Sequence, residues 1–195
     1  MNIKLSTPLL LFLLALVACN SEFSVKPKGY YKIDFPKRAY QKFEQEGYPY
    51  SFEYPVYAKV EKDSSLFSDN DTPFWINLSF PGFNGKIYCS YKMVTPANYT
   101  QLVEDAYKMT YKHSSKATEI NDSVINTPNG LSGIWFSVGG NAATGRQFFL
   151  TDSTRHFLRG ALYFDATPNE DSLAVVYNFL QEDMKHLINT LRWKN

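Results

Sequence analysis

Residues 131–165, LSGIWFSVGGNAATGRQFFLTDSTRHFLRGALYFD, contain three segments with the pattern of β-strands. The segments are residues 131–138, 146–152 and 156–165, and each is rich in aromatic and branched apolar side chains. The stretch Gly139-Gly140-Asn141 supplies turn residues between the first two segments. Because both connections are short, the three strands are predicted to form an antiparallel meander.

Period-two alternation extends the strand pattern toward the N-terminus. It predicts further strands at residues 50–54, 74–80, 87–93 and 117–125. Within the third of these, Cys89 shares a face with apolar neighbours two residues away on either side. That position favours a buried structural thiol over a reactive nucleophile.

Two segments show helical periodicity instead. Thr95-Pro96, typical of an N-cap followed by proline, precedes an apolar face over residues 99–107. Residues 167–170 resemble a capping box with proline, and an apolar stripe follows over residues 173–191. Each helix is therefore expected to cover a sheet face. The predicted fold class is α+β, a mainly antiparallel sheet covered by two amphipathic helices, and the order of elements resembles the PsbP-like α/β/α sandwich.

The N-terminus has the features of a secretory signal. A short apolar stretch over residues 9–17 follows Lys4 and ends in Leu16-Val17-Ala18-Cys19. This ending resembles the lipobox of bacterial lipoproteins, which predicts cleavage between Ala18 and Cys19 and acylation of Cys19. Attachment of several acyl chains gives stable membrane anchoring. The less favoured alternatives are an ordinary secretory signal that contains a cysteine, and a transmembrane anchor, for which the apolar stretch is too short.

Composition and charge limit the remaining possibilities. The chain has 195 residues and a formal net charge of +1, and removal of residues 1–18 deletes only Lys4, which leaves a net charge of zero. A neutral mature chain lacks the overall positive charge of a nucleic-acid-binding protein. We expect residues 1–18 to be the signal peptide, residues 19–29 a lipidated tether, and residues 30–195 a single domain. Since Cys89 is the second of two cysteines, no intramolecular disulfide is expected after Cys19 is acylated.

No catalytic residue, metal site or cofactor site is predicted. His113, His156 and His186 lie in different predicted elements without metal-ligand spacing, so we interpret them as surface residues. The sequence of residues 140–147 partly matches the phosphate-binding loop pattern but lacks its lysine, so we interpret these residues as a hairpin loop. Asp152, Arg155, His156 and Arg159 surround one predicted hairpin, and we interpret them as a solvated strand end rather than as a catalytic or ligand site. The residues alone therefore offer no set of groups for catalysis.

An aromatic and basic segment follows the tether. Its candidate partner-binding residues are Tyr30, Tyr31, Lys32, Phe35 and Tyr40. Aromatic side chains together with basic ones suit a protein interface. The alternative, equally supported, is that these aromatic residues pack the first strand onto the sheet.

Two motifs carry a more specific resemblance. Residues 27–36 read Pro-Lys-Gly-Tyr-Tyr-Lys-Ile-Asp-Phe-Pro, residues 49–55 read Pro-Tyr-Ser-Phe-Glu-Tyr-Pro, and the chain closes with Leu-Arg-Trp at 191–193. This pattern, with the lipobox before it, resembles the GldD family of gliding motility lipoproteins of the Bacteroidetes. The resemblance implies a non-enzymatic accessory or assembly factor of gliding and of the associated type IX secretion machinery. It also implies partners among other gliding or secretion envelope proteins, and membrane attachment through the lipid.

The location follows from the residue after the lipidated cysteine. Asn20 stands where aspartate would retain a lipoprotein in the inner membrane in familiar Gram-negative sorting, so we expect the outer membrane rather than the inner one. Surface export in the Bacteroidetes is associated with an acidic tether, which Ser21-Glu22 matches poorly, so we expect the periplasmic side. Two other function classes stay open. One is an envelope ligand-binding lipoprotein with a pocket between sheet and helix, and the other is an envelope hydrolase, for which the sequence offers no set of catalytic groups.

Overall fold

The computed structural model describes Gly29, residues 32–63 and residues 73–194. Its elements within these residues are, in chain order, β1 (Tyr40–Phe43), β2 (Tyr50–Pro55), β3 (Lys59–Lys62), β4 (Ile76–Phe80), a 3-10 turn (Pro81–Phe83), β5 (Gly85–Met93), α1 (Tyr99–Tyr111), β6 (Ala117–Asn126), β7 (Ser132–Gly140), β8 (Thr144–Thr151), β9 (His156–Phe164), α2 (Glu170–Thr190) and β10 (Arg192–Trp193).

The strands form two antiparallel sheets. The larger sheet has the order β3-β4-β5-β9-β8-β7-β6, and the smaller has the order β1-β2-β10. Strands β7, β8 and β9 pair in sequence, which confirms the meander predicted for residues 131–165. Strand β9 also pairs with β5 along nine residues, so that the N-terminal and C-terminal halves of the large sheet are joined at its centre. The predicted α+β class is confirmed.

The larger core lies between the large sheet and α2. Alternate residues of the central strands point to this side, among them Ile87, Leu150, Leu158 and Leu162, which are all fully buried. Helix α2 packs its apolar stripe against them, with Leu180 completely buried. The small sheet closes the same core with a cluster of aromatic side chains from β1 and β2. These contacts account for the apolar periodicity of both the strands and the helix.

Gly160 shows how closely this face is packed. It lies on β9 opposite Phe148 of β8, and a Cβ atom at this glycine would come within 2.4 Å of the Phe148 ring. The ring therefore covers the backbone of the neighbouring strand. Glycine is required here by the close approach of the ring and not by the backbone conformation.

Helix α1 packs on the opposite face of the large sheet. It forms a second, smaller core whose buried sheet residues are Phe136, Phe149 and Phe157, from strands β7, β8 and β9. On the same face, strands β3, β4, β5 and the end of β9 carry mainly polar side chains. We call this part of the sheet the groove face, and define it by Lys59, Glu61, Asn77, Ser79, Lys86, Tyr88, Ser90, Lys92, Arg159, Ala161 and Tyr163.

The helix starts differ from those predicted. Thr95 is not the N-cap of α1, because a turn from Thr95 to Asn98 precedes the helix, and the Asn98 side chain accepts a hydrogen bond from the Thr95 amide. The N-cap of α2 is Asn169, whose side chain accepts from the Ser172 amide at 3.0 Å. The predicted capping box at Thr167 is therefore wrong by two residues, since asparagine at position 169 supplies the acceptor that the N-terminal amides need.

Candidate functional site

The sequence-predicted site residues divide between described and undescribed parts of the chain. Ala18, Cys19, Tyr30 and Tyr31 lie outside the described residues, so their roles stay predictions. Lys32 is exposed. Phe35 and Tyr40 lie in the part of the chain that the structure describes, and both are half-buried by contacts within the protein.

The chain from Phe35 to Tyr40 is fastened to α2. The Phe35 ring stacks on Phe179 with ring centres 4.3 Å apart. The Arg38 guanidinium lies over the same Phe179 ring and donates to the Phe179 carbonyl at 2.9 Å. The Tyr40 ring stacks on His186 at 3.6 Å. Contacts of this kind are those expected of the packing alternative, and the partner-binding role of Phe35 and Tyr40 stays a prediction.

Asp183 is the polar centre of this fastening. Its side chain is 1% exposed and accepts hydrogen bonds from the hydroxyl groups of Tyr40, at 3.0 Å, and Tyr57. Arg38 Nε lies 3.4 Å from the same carboxylate. We call Phe35, Arg38, Tyr40, Tyr57, Phe179 and Asp183 the clasp.

The electrostatics of the clasp are those of a buried structural carboxylate. Burial raises the pKa of Asp183, while the hydrogen bonds from Tyr57 and Tyr40 and the nearby Arg38 act in the opposite direction. Burial, and then the hydrogen bond to Asp183, raise the pKa of Tyr40 to about 12. Because the carboxylate oxygens are already engaged by three donors, this site is suited to holding the segment and not to proton transfer.

The groove face carries a surface depression of about 820 Å³, which we call the groove. Three other depressions hold about 270–300 Å³ each. The groove is lined by residues of β4, β5 and β9 and by the turns at their ends, namely Ser79, Phe80, Pro81, Asn84, Gly85, Lys86, Tyr88, Arg159, Ala161, Tyr163, Phe164 and Asp165. Its rim includes the 3-10 turn Pro81–Phe83, and Phe83 of this turn contacts Phe35 of the clasp.

Aromatic rings and a small residue shape this groove. Tyr88 and Tyr163 meet edge to face at 5.6 Å, and the Tyr88 side chain is 41% exposed. Ala161 lies directly opposite Tyr88 across the β5–β9 pair and is 1% exposed, so its short side chain forms the floor beneath these rings. The Lys86 ammonium group lies 5.8 Å from the centre of the Tyr88 ring. The result is an open groove with aromatic walls and cationic groups at its edge.

Arg159 is half-buried in this groove. Its guanidinium donates to the Gln147 side-chain carbonyl oxygen, and burial lowers the pKa of Arg159. Among the described residues no carboxylate lies within ion-pair distance of this guanidinium. Gln147 is fully buried beneath α1, where its carbonyl oxygen also accepts from Thr110, and its side-chain nitrogen has no acceptor in the described structure. This location therefore has more hydrogen-bond donors than acceptors.

The groove face also has a local excess of positive charge. The cationic side chains on it and at its rim are Lys59, Lys86, Lys92 and Arg159, and the acidic ones are Glu61 and Asp165. Glu61 is shared, because it accepts from the Ser79 hydroxyl and lies 4.0 Å from the Lys86 ammonium group. Positive charge is therefore concentrated on one face of a chain whose total charge is nearly balanced.

The remaining titratable groups have structural roles. Cys89 is 3% exposed and burial raises its pKa to about 12, which confirms the predicted buried thiol. Asp152 accepts hydrogen bonds from three consecutive backbone amides of the β8–β9 turn, and these bonds lower its pKa against the effect of burial. Arg159, in contrast, belongs to the groove and not to that solvated strand end.

The predicted surface position is wrong for His156, whose ring stacks on Trp193 at 4.9 Å while its Nδ1 lies 2.7 Å from the Tyr91 hydroxyl. His186 Nε2 lies 2.7 Å from the Glu53 carboxylate, and His113 is half-buried. In the part of the chain that the structure describes, no three histidine, cysteine or acidic residues are grouped so that they could hold a metal ion. Within the same residues, no helix has the length and apolar character needed to cross a membrane.

The fold is similar to that of a cyanobacterial protein of known structure. The solution structure of cyanobacterial PsbP (CyanoP) from Synechocystis sp. PCC 6803 matches with a TM-score of 0.51 and 9% sequence identity, covering 82% of this chain and 95% of that chain. At this identity the similarity concerns the fold alone, and it confirms the predicted PsbP-like arrangement. No curated protein sequence matches the chain.

The sequence itself matches one family along most of its length. The sequence model of the gliding motility lipoprotein GldD matches residues 20–193, from the residue after Cys19 to the end of β10. This range includes both motifs that carried the resemblance and the complete two-sheet fold. The chain therefore belongs to the GldD family of gliding motility lipoproteins.

Proposed function

We propose that this protein is a non-enzymatic accessory or assembly factor of gliding motility and of the associated type IX secretion machinery, and that it acts by binding other envelope proteins. The observation that carries the proposal is the extent of the family match, residues 20–193, which begins immediately after the predicted lipidated cysteine. The lipobox and the folded chain are thus joined in the arrangement expected of an anchored binding protein.

The proposed anchor is Cys19, acylated after cleavage of residues 1–18. Residues 19–29 would act as the tether and residues 30–195 as the single domain, on the periplasmic side of the outer membrane. The segment from Cys19 to Phe35 spans at most about 55 Å when fully extended. The clasp would then limit how far the domain can move from the membrane, because it fastens Phe35 and Arg38 to α2.

Binding is favoured over catalysis because side chains that could act as acids, bases or nucleophiles are already hydrogen-bonded or buried. The Asp183 carboxylate is held by three donors, Asp152 caps a turn, and the Cys89 thiol is buried with a raised pKa. The sequence after the predicted tether instead carries aromatic and basic residues. Tyr30, Tyr31, Phe35, Tyr40 and Lys32 remain the proposed partner-binding residues of that segment.

The alternative function, ligand binding in a pocket between sheet and helix, has less support. The 820 Å³ groove is lined by strands and turns, and no residue of α1 or α2 contributes to its lining. It is also partly open to solvent, whereas small-molecule pockets bury most of the ligand surface.

The proposal is tested by removing the anchor. Cells lacking the chromosomal gene are complemented with wild type, Cys19→Ser or, as the matched control, Cys89→Ser, and are grown with a fatty-acid analogue. We expect Cys19→Ser to lose the label, colony spreading and secretion of a type IX cargo, while Cys89→Ser keeps the label. Equal labelling of Cys19→Ser and wild type would refute the anchor, and normal spreading and secretion without label would refute the anchored role.

A further inference from the structure

The Arg159 guanidinium lacks most of the partners that a buried arginine normally has. It has five N–H donors, and the acceptor found in the described structure is the Gln147 carbonyl oxygen. Arg146 provides a comparison on the other face of the sheet. It donates to Gln181 and to the Gly145 carbonyl, both at 2.8 Å. Burial lowers the pKa of Arg146, and the nearby Glu170 carboxylate acts in the opposite direction. Arg159 therefore retains donors that an additional acceptor could satisfy.

The surroundings of Arg159 favour an anionic acceptor. A cation removed from water without a counter-charge is costly, and a carboxylate that meets it makes short, charge-assisted hydrogen bonds. Gln147, the buried hydrogen-bond partner of Arg159, also has a side-chain nitrogen without an acceptor in the described structure. On the same face the other cations, Lys59, Lys86 and Lys92, outnumber the carboxylates Glu61 and Asp165.

The shape of the groove favours a polypeptide over a membrane surface. Arg159 is half-buried, whereas Lys59 and Lys92 on the same face are exposed, so a flat layer of lipid headgroups would meet these lysines before the guanidinium. An acidic side chain on a polypeptide can enter the groove, and its neighbouring residues can pack on Tyr88 and Tyr163. Aromatic and arginine side chains together are typical of the energetic centres of protein interfaces.

We propose that the groove face binds an acidic segment of a partner polypeptide, with one carboxylate held by Arg159 and the adjacent residues packed on Tyr88 and Tyr163. This inference rests on the proposed function, because it names the surface and the chemistry through which the accessory factor meets its partner. The groove borders the turn that contacts Phe35, so the bound segment would lie close to the clasp.

The test is site-specific photocrosslinking in intact cells. A photoreactive phenylalanine replaces Tyr88 in the full-length, anchored protein, and the crosslinked peptide is identified by mass spectrometry. As a matched control the same group replaces Val175, which is 47% exposed on α2, on the opposite face of the sheet. We expect a protein crosslink at position 88, in a segment rich in Asp and Glu, that is absent at position 175.

Arg159 is then varied in the crosslinking background. Arg159→Gln should reduce the crosslinked yield about tenfold or more, the usual effect of losing a charge-assisted hydrogen bond. Lys185→Gln, which changes a lysine of α2, should leave the yield unchanged. The thermal midpoint of purified Arg159→Gln should not fall, because the variant removes a half-buried cation without an ion pair. If the thermal midpoint of Arg159→Gln does fall, Arg159→Lys is used instead. This variant keeps the positive charge but loses the paired N–H donors of the guanidinium, and it should give an intermediate crosslinked yield.

Several outcomes would overturn the inference. These are the absence of a crosslink at position 88, a crosslink to lipid or to a segment without acidic residues, and a yield that Arg159→Gln does not change in a folded protein. The proposed function would survive each of them as long as Cys19→Ser abolishes labelling and spreading, so the two proposals fail separately.

Discussion

The two faces of the large sheet are used differently. The face toward α2 is covered along the central strands by apolar side chains, with Leu150, Leu158 and Leu180 completely buried. The opposite face is covered by α1 over β7 and β8, and the groove face beside it carries lysines, tyrosines and Arg159. The difference indicates that the α2 face supplies stability, while the groove face is available for binding in this gliding motility lipoprotein.

Truncation on the two faces should therefore have unequal effects on stability. Leu180→Ala removes a buried side chain from α2 and should lower the free energy of unfolding by about 2–5 kcal/mol. Tyr88→Ala removes a larger side chain from the groove face, yet should cost less than about 1 kcal/mol, because the ring is 41% exposed. Denaturant unfolding of both variants measures the difference. Equal losses would contradict the division of roles between the faces.

The clasp should contribute less than the core but more than the groove face. Asp183→Ala leaves the hydroxyl groups of Tyr40 and Tyr57 and the Arg38 guanidinium without their acceptor, and should lower the free energy of unfolding by about 1–3 kcal/mol. Glu182→Gln is the matched control, because the Glu182 carboxylate lies next to Asp183 in the chain but is exposed and pairs with Lys185. This variant should change the free energy of unfolding by less than about 0.5 kcal/mol. If Asp183→Ala leaves the free energy of unfolding unchanged, the clasp is dispensable for folding.

Acidification should cause a smaller loss of stability, through the histidine on the α2 side. Burial lowers the pKa of His156 below its ordinary value of 6.5, so the unfolded chain takes up this proton at a higher pH than the folded protein does. The stabilising contribution is complete above about pH 6.5 and decreases as the pH falls toward the lowered pKa of the folded state. Burial lowers the pKa of His113 in the same direction.

Thermal unfolding between about pH 7.5 and pH 5.5 measures this dependence. Wild type should lose stability as the pH falls, and His156→Gln should show a flatter profile, with the remaining slope carried in part by His113. A wild-type midpoint that rises on acidification, or a slope that His156→Gln does not change, would contradict the burial of this ring.

The fold was largely predictable because the α2 face repeats a simple pattern. Apolar residues at every second position predicted β5, aromatic and branched apolar residues between short turns predicted β8 and β9, and the stripe over residues 173–191 predicted α2. The short strands β1, β3 and β10 were not predicted. Strand β3 is Lys-Val-Glu-Lys at a sheet edge and β10 has two residues, so neither has enough alternation to indicate a strand.

The groove was not predictable from the same pattern. Lys86, Tyr88 and Arg159 come together because β9 pairs with β5, which lies more than sixty residues away in the chain. In the sequence they occupy the polar positions of alternating strands, and such positions normally indicate solvated faces. The clasp was missed for a similar reason, since Arg38 and Asp183 meet only when α2 packs beside β1. The signal that was available is the alternation of lysine and tyrosine in β5.

Colony spreading of cells that carry Arg159→Gln as their sole copy tests the central claim most directly, with Lys185→Gln as the control. The account predicts that Arg159→Gln abolishes spreading while the protein remains labelled by fatty acid, accumulates to the wild-type level and keeps its thermal midpoint. Normal spreading of Arg159→Gln cells under these conditions would contradict the claim that the groove face carries the function of this protein.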